Sequence, residues 1–438
     1  MAEPIPKAQG STLLGPLADF LRDPASYVKQ VAAYGDLVQV SLGGLKVVYV
    51  FHPKYMSHIL LGNRSNYVKG SLMARTELVL GKGLVTAEGD AWRSQRRRMA
   101  ASFSPAYTDA FANQIAQMTD RFCDTLSGVR RVNEDTMHLT LSVALHLLFG
   151  QDQSGRFEEM GAAFDELLQF FASTSEFFVQ LPLWVPTPRN RRFLKARESL
   201  DQAVQEIIDT RRASPDQGTD LLSRIIDAPG DDAASSTLLQ DEVRTLMIAG
   251  HETTALALTF SLWFLSAEPD RQASLRAKIN AITGGGPVQG AHLSQLSFVE
   301  PIIKEAIRIL PPVPIITREP LVDDTIGPHH VPAKTTLIIA PYRTQKDPRW
   351  FSDPDDFRPE RWTPELVAEL PRFAYMPFGG GPRICIGMRL AMVESTLIIA
   401  EMVRRFEISR TPSTRLSLKP GITLRPDHPL ELEFQPAS

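Results

Sequence analysis

The sequence predicts a mainly α-helical fold with small β-sheet regions, gathered in one domain over residues 1–438. Three observations lead there. Apolar segments free of proline and glycine recur, the clearest running from Met388 to Phe406. A longer segment, broken only by Gly250, begins at Asp241, reaches about Ala267 and is stopped by Pro269, which reads as a very long helix. Strand-like alternation, by contrast, is confined to short stretches such as Leu37 to Leu42 and Lys46 to Phe51, which flank Gly43 and Gly44 as a hairpin would.

Composition narrows the class. Of 438 residues, 43% are hydrophobic and 22% charged, which is enough apolar material for a large core. Length alone suggests about three domains. The one-domain reading rests instead on motifs far apart in sequence that need to meet at one site. With 47 basic and 50 acidic residues the net charge is −3, so no global field argues for nucleic acid. Two cysteines, Cys123 and Cys385, make no disulfide framework and fit a reducing compartment, so a cytoplasmic protein is expected. Met1 to Ser11 is polar and mixed, and no run of about 18 apolar residues occurs, so integral membrane association is not expected.

In chain order, residues 1–35 form a lead-in and first helix, with Leu17 to Tyr34 helical and broken at Pro24. The hairpin follows, then a short helix from Pro53 to Leu61 and an irregular, glycine-punctuated stretch from Leu72 to Thr86. Trp92 and Arg96, four apart, share one helix face. Arg93, Arg97 and Arg98 read as surface charge. Phe111 to Val129 and Glu134 to Phe149 read as two core helices, with His138 and His146 packed or capped and Cys123 a core thiol. Phe157 to Gln180 is rich in phenylalanine (Phe164, Phe170, Phe171, Phe177, Phe178) and leads through the proline-broken Leu181 to Pro188 into a helix from Phe193 to Arg212. Polar linkers occupy Ser214 to Thr219 and Ala228 to Ser236. Phe298 to Ile309 is helical. Prolines at 311, 312 and 314 then force an extended path. Lys334 to Ala340 reads as a strand, and Leu416 to Phe434 as a terminal β region whose turn at Pro420 to Leu424 reaches toward the pocket.

Two stretches carry chemistry. In the long helix stand Ala249-Gly250-His251-Glu252-Thr253-Thr254. Glycine costs a helix about 1 kcal/mol against alanine, and threonine can turn its hydroxyl onto a carbonyl and bend it. An acid and two alcohols in such a place read as a polar groove for moving protons. The second stretch is Phe378-Gly379-Gly380-Gly381-Pro382-Arg383-Ile384-Cys385-Ile386-Gly387. It sets a tight turn and one cysteine before the Met388 segment, so the thiol is expected to ionise easily at a helix N-terminus, with Arg383 adding positive charge.

This second stretch resembles the haem-binding loop of the cytochrome P450 monooxygenases at Phe378, Gly379, Gly381, Arg383, Cys385 and Gly387. The resemblance runs from about Asp36 to the end of the sequence. It implies the cytochrome P450 fold, haem b as cofactor and Cys385 as the axial thiolate ligand of the iron. It further implies that Trp92, Arg96, Arg318 and Arg383 meet the haem propionates, that Phe378, Gly379, Gly387 and Ala249 line the cofactor, and that Glu252 and Thr253 relay protons for oxygen activation. Glu305, Arg308 and Arg361 become a buried structural cluster holding the loop that leads to Cys385. Ile248, Val313, Ile315 and Ile316 become pocket residues, and the phenylalanine-rich region a lid over an apolar entrance. The family commonly has His-Arg where Gln345-Lys346 precede Asp347-Pro348, so no histidine–propionate contact is expected there.

The activity so implied is insertion of one oxygen atom from O2 into a lipophilic small molecule: a fatty acid, terpenoid, steroid-like compound or polyketide. Electrons would come from a separate ferredoxin or flavodoxin with its NAD(P)H reductase, since no flavin or iron–sulfur motif is present. Two alternatives stand beside it: a peroxide-using or rearranging haem-thiolate enzyme, and a non-catalytic haem sensor or ligand carrier.

Overall fold

The computed structural model describes residues 3–9, 16–42, 45–74, 76–150, 160–163, 166–167, 170, 182–213, 220–227 and 236–437. The Gly43-Gly44 turn, the polar linkers except Ser236, and Phe157, Phe164, Phe171, Phe177 and Phe178 of the expected lid lie outside them. Phe170 is described: it is buried, with its ring 4.1 Å from that of Phe193.

Strands β1 (Leu37–Leu42), β2 (Leu45–Val50), β3 (Tyr67–Val68), β4 (Gly128–Arg131), β5 (Ile316–Pro320), β6 (Asp324–Ile326), β7 (His329–Val331), β8 (Thr336–Ile339), β9 (Phe406–Arg410), β10 (Leu418–Pro420), β11 (Leu424–Pro426) and β12 (Glu431–Pro436) make four small sheets among the described residues. The largest has the order β1-β2-β8-β5-β3, parallel only between β2 and β8. Residue alternation sorts its side chains onto two faces. Val48, Val50, Leu337 and Ile339 pack with Met56, Ile59, Phe373 and Met376; Val47, Tyr49 and Ile338 pack with Tyr27, Val28 and Val31.

The helical core is built on Ser236–Leu265, which runs through the molecule against Val132–Phe149, Glu300–Ile309 and Met388–Arg405. Val143, Val243, Leu258, Leu262, Leu397 and Ile398 are all fully buried in it. Two threonine contacts join the first pair of helices where apolar packing alone would let them slide: Thr136 Oγ1 meets Thr259 Oγ1 at 2.7 Å, and Thr140 Oγ1 donates to the His251 carbonyl at 3.0 Å. Among the described residues no helix is long and apolar enough to cross a membrane.

Several local expectations need correction. Asp241 does not open the long helix, which starts at Ser236; its carboxylate accepts from the Lys82 amide at 2.8 Å and pairs with Arg244. The helix expected to Val129 stops at Cys123, and Val129 lies in β4, paired with Glu433 of β12. A distant strand partner overrides local propensity here. His138 is exposed and stacked on Phe122, while His146 is half-buried. Arg98 is half-buried near Glu242 rather than surface charge. Cys123 is a core thiol, pushed up to about 12 by burial.

Candidate active site

The turn before Cys385 is dictated by glycine. Gly379 and Gly381 have φ of +72° and +68°. A Cβ on Gly381 would fall 2.3 Å from the Leu60 carbonyl oxygen, and one on Gly380 would fall 2.1 Å from the Phe373 ring. The turn is closed by the Cys385 amide donating to the Phe378 carbonyl at 2.9 Å, and by the Gly379 amide donating to Met376 at the same distance. Gly387 is the N-cap of Met388–Arg405 and its amide hydrogen-bonds the Cys385 sulfur. A Cβ at Gly387 would sit 3.9 Å from that sulfur. Cys385 itself is exposed, whereas Cys123 is buried.

The expectation of an easily ionised thiol does not hold for the chain alone. Desolvation pushes Cys385 up, and the Gly387 amide and Arg96 pull it down by less. A metal ion bound to the sulfur would outweigh this desolvation and deprotonate it.

A ring of positive charge lies beside the loop. Arg383 donates to the Ala87 carbonyl at 2.6 Å, pairs with Glu88 and stacks on the Trp92 ring at 4.1 Å. Arg318 is buried and bonds the Thr317 carbonyl at 2.7 Å. Arg96 and Trp92 are half-buried on Gly89–Ala100. Lys69, absent from the sequence-based set, joins them and donates to the Val85 carbonyl. Strand pairing explains its arrival, because β3 ends one residue before Lys69 and lies against β5, which carries Arg318. Burial and neighbouring cations push Lys69 down to about 7 and Arg318 to about 10. Arg96 and Arg383 also fall below their usual values, mainly through burial.

Glu88 is the carboxylate that acts on both Lys69 and Arg318. Two carboxylates added beside these cations would relieve their repulsion, and a haem brings two propionates. A cation whose folded-state pKa is depressed destabilises the fold while it stays protonated. Without haem, stability is therefore expected to rise as the pH increases from about 7 toward the ordinary lysine value of 10.5. Lys346, pushed down to about 8, adds slope of the same sign. The Lys69 share is the difference between wild type and Lys69→Met in denaturant midpoints across that window. Parallel curves would remove Lys69 from the ring.

Glu305 and Arg308 are both fully buried on Glu300–Ile309. Glu305 accepts from Arg308 Nε and Nη2 at 2.9 Å, Arg361 Nε at 2.8 Å, Trp362 Nε1 at 3.0 Å and the Arg358 amide at 3.0 Å. Arg308 goes on to the carbonyls of Gln345, Pro354 and Asp356. Gln345 then hands the tether to the cysteine loop, its Oε1 accepting from the Met376 amide at 2.8 Å. Its amide group also caps the Ile307 and Arg308 carbonyls, which gives the departure from the family pattern a structural role.

On the long helix, Ala249 and Gly250 are exposed between buried and half-buried neighbours, and a Cβ on Gly250 would meet nothing within 4 Å. Thr253 Oγ1 donates back to the Ala249 carbonyl at 2.8 Å, at the edge of this opening. Glu252, turned about 100° round the helix from Thr253, is 1% exposed and bound to Thr423 and Arg425. The two relay candidates thus have different surroundings. Of the pocket candidates, Ile248 and Val313 are half-buried. Ile316 approaches the cysteine loop, its Cδ1 3.6 Å from where a Gly379 Cβ would be. Ile315 packs against the Tyr27 cluster on the opposite face of the sheet, so strand alternation divides this pair.

The residues fit a haem. An accessible sulfur with an amide donor, a side-chain-free helix surface and paired cations for carboxylates are the features it needs. The comparisons agree. Residues 6–434 match the family model described as Cytochrome P450. Cyclooctatin synthase of Streptomyces melanosporofaciens is 31% identical over 95% of this chain and 92% of its own length. Cyclooctat-9-en-7-ol 5-monooxygenase of the same organism is 32% identical over 93% and 90% respectively. In fold, the chain is similar to retinoic acid bound cyanobacterial CYP120A1, at a TM-score of 0.89, 24% identity and full coverage of both chains.

Proposed function

The chain belongs to the cytochrome P450 family and is a haem-thiolate monooxygenase, and from that premise we propose that it hydroxylates or epoxidises a terpenoid-like hydrocarbon skeleton. The observation that carries the reading is Cys385: an exposed sulfur at the mouth of a glycine-built turn, beside a ring of cations. The substrate class is taken from relatives named for cyclooctatin and cyclooctat-9-en-7-ol chemistry.

The overall change balances as substrate plus O2 plus two electrons and two protons, giving the oxygenated product plus water. When bound, haem supplies the site at which dioxygen is reduced, and the cysteine thiolate donates electron density that favours O–O cleavage. Everything else is work for the chain. The Phe378 carbonyl and Gly387 amide fix the sulfur. Lys69, Arg96, Arg318 and Arg383 would hold negative charge beside the cysteine loop, with the planar guanidinium groups suited to carboxylates. Ile248, Val313 and Ile316 present apolar surface that orients a hydrocarbon and keeps water out. Thr253 Oγ1 holds a proton at the opening beside Gly250, and Glu252 renews it.

Monooxygenases of this family take their electrons from redox partners. The partner proposed here is a ferredoxin or flavodoxin with its NAD(P)H reductase. Exposed Arg93 and Arg97, on the helix that carries Trp92 and Arg96, support an acidic partner. Turnover of a terpenoid panel with ferredoxin, reductase and NADPH, set against peroxide alone, tests the reading. Product in the first arm supports it, and product only with peroxide replaces it with the peroxide-using alternative. Thr253→Ala is expected to keep haem and substrate binding while most reductant is consumed without product. Full coupling in that variant removes Thr253 from the relay.

A further inference from the structure

The β10–β11 hairpin packs against the long helix. Leu424 packs with Leu256 and Phe260 of the long helix and with Ala306 and Ile309, and its amide donates to the Pro312 carbonyl at 2.9 Å. This seats the hairpin one helical turn from Glu252. Glu252 Oε1 there accepts from Thr423 Oγ1 at 2.6 Å and from Arg425 Nε and Nη2 at 2.5 Å. Arg425 Nε also reaches Thr423 Oγ1 at 3.3 Å, so the hydroxyl and the guanidinium brace one another. These contacts converge on one carboxylate oxygen; Oε2 takes none of them.

We propose that Arg425 is a positioning residue for the oxygen insertion, fixing Glu252 by an ion pair at Oε1 so that Oε2 is left to exchange protons with water toward Thr253. The proposal rests on the Glu252–Thr253 relay described above. Its physical basis is the burial of Glu252. A carboxylate removed from water and given no cation takes up a proton and stops accepting one. A buried acid can serve a relay only if something keeps its ionised form accessible, and Arg425 is the cation that touches it. Fixing a single oxygen meets both needs: the charge is compensated while the second oxygen stays chemically free. A neutral residue at 425 would release the acid as a rotating side chain without a paired cation. A lysine would keep the charge but lose the fork that grips one oxygen with two N–H groups.

The test uses haem-loaded protein and two readouts. The first is the infrared carboxylic-acid C=O band at neutral pH. Arg425→Gln is expected to gain a band that disappears in the Arg425→Gln/Glu252→Gln double variant, and Arg425→Lys to show little of it. The second is product formed per NADPH consumed, expected to fall roughly tenfold or more in Arg425→Gln, to be partly restored in Arg425→Lys, and to fall no further in the double variant than in either single one. Should Arg425→Gln not accumulate as folded protein, Arg425→Lys combined with Thr423→Val carries the same two readouts. Coupling unchanged in Arg425→Gln, or additive losses in the double variant, overturns the proposal while the relay stands. Coupling unchanged in Glu252→Gln instead overturns the relay itself.

Discussion

Glu305→Ala is expected to yield little or no haem-loaded protein. The carboxylate is fully buried and satisfies Arg308, Arg361, Trp362 and the Arg358 amide at once. Removing it strands two guanidinium groups where water does not reach Arg308 at all. Breaking a buried pair in this way costs about 3–5 kcal/mol. A folded domain has about 5–15 kcal/mol in total. The damage also travels: Arg308 holds the Gln345 carbonyl, and Gln345 holds Met376, two residues ahead of Phe378. The cysteine turn therefore loses its tether together with the cluster. Haem-to-protein ratio after purification and the thermal midpoint measure the effect. Normal haem incorporation defeats the assignment. Glu305→Gln retains the shape without the charge, and an intermediate loss is expected.

Cys385→Ser is expected to abolish monooxygenation while changing little else in the fold. Serine fits the turn, because the Phe378 carbonyl and Gly387 amide contacts are made to the residue's own amide and side chain. An alcohol ionises far less readily than a thiol and gives no soft anionic ligand. Reduced wild-type protein treated with carbon monoxide should show the long-wavelength Soret band of thiolate-bound haem, and the serine variant should lack it. If freshly prepared, haem-replete wild type also lacks the band, Cys385 is not the ligand and the proposed chemistry falls.

What the sequence disclosed, and what it hid, follow from how far each property depends on distant residues. The cysteine turn was legible because its glycines answer to local backbone geometry. The Glu305–Arg308 pair was legible because three positions on a helix put both on one face. Lys69 was hidden: it is an unremarked lysine until β3 meets β5 and brings Arg318 beside it. Val129 was misread for the same reason, its strand partner lying some 300 residues on, in β12. Arg98 looked like one more exposed charge until the long helix brought Glu242 to it. The ionisation of Cys385 was misjudged because sequence shows the helix and the arginine that favour the anion but not the surrounding protein that desolvates it. The resemblance paired Glu252 with Thr253, but it could not show that helical geometry turns the two neighbours about 100° apart and gives each its own surroundings.

The closing strands have a consequence for synthesis. β4 pairs with β12, the Val132 amide is satisfied by the Leu430 carbonyl, and the buried acid of the long helix is clamped by Thr423 and Arg425. A nascent chain still lacking these segments can pack much of its helical core, yet it carries an unmatched strand edge and a bare interior carboxylate. A variant shortened before Thr423 would thus be expected to aggregate and be digested more readily than the full chain.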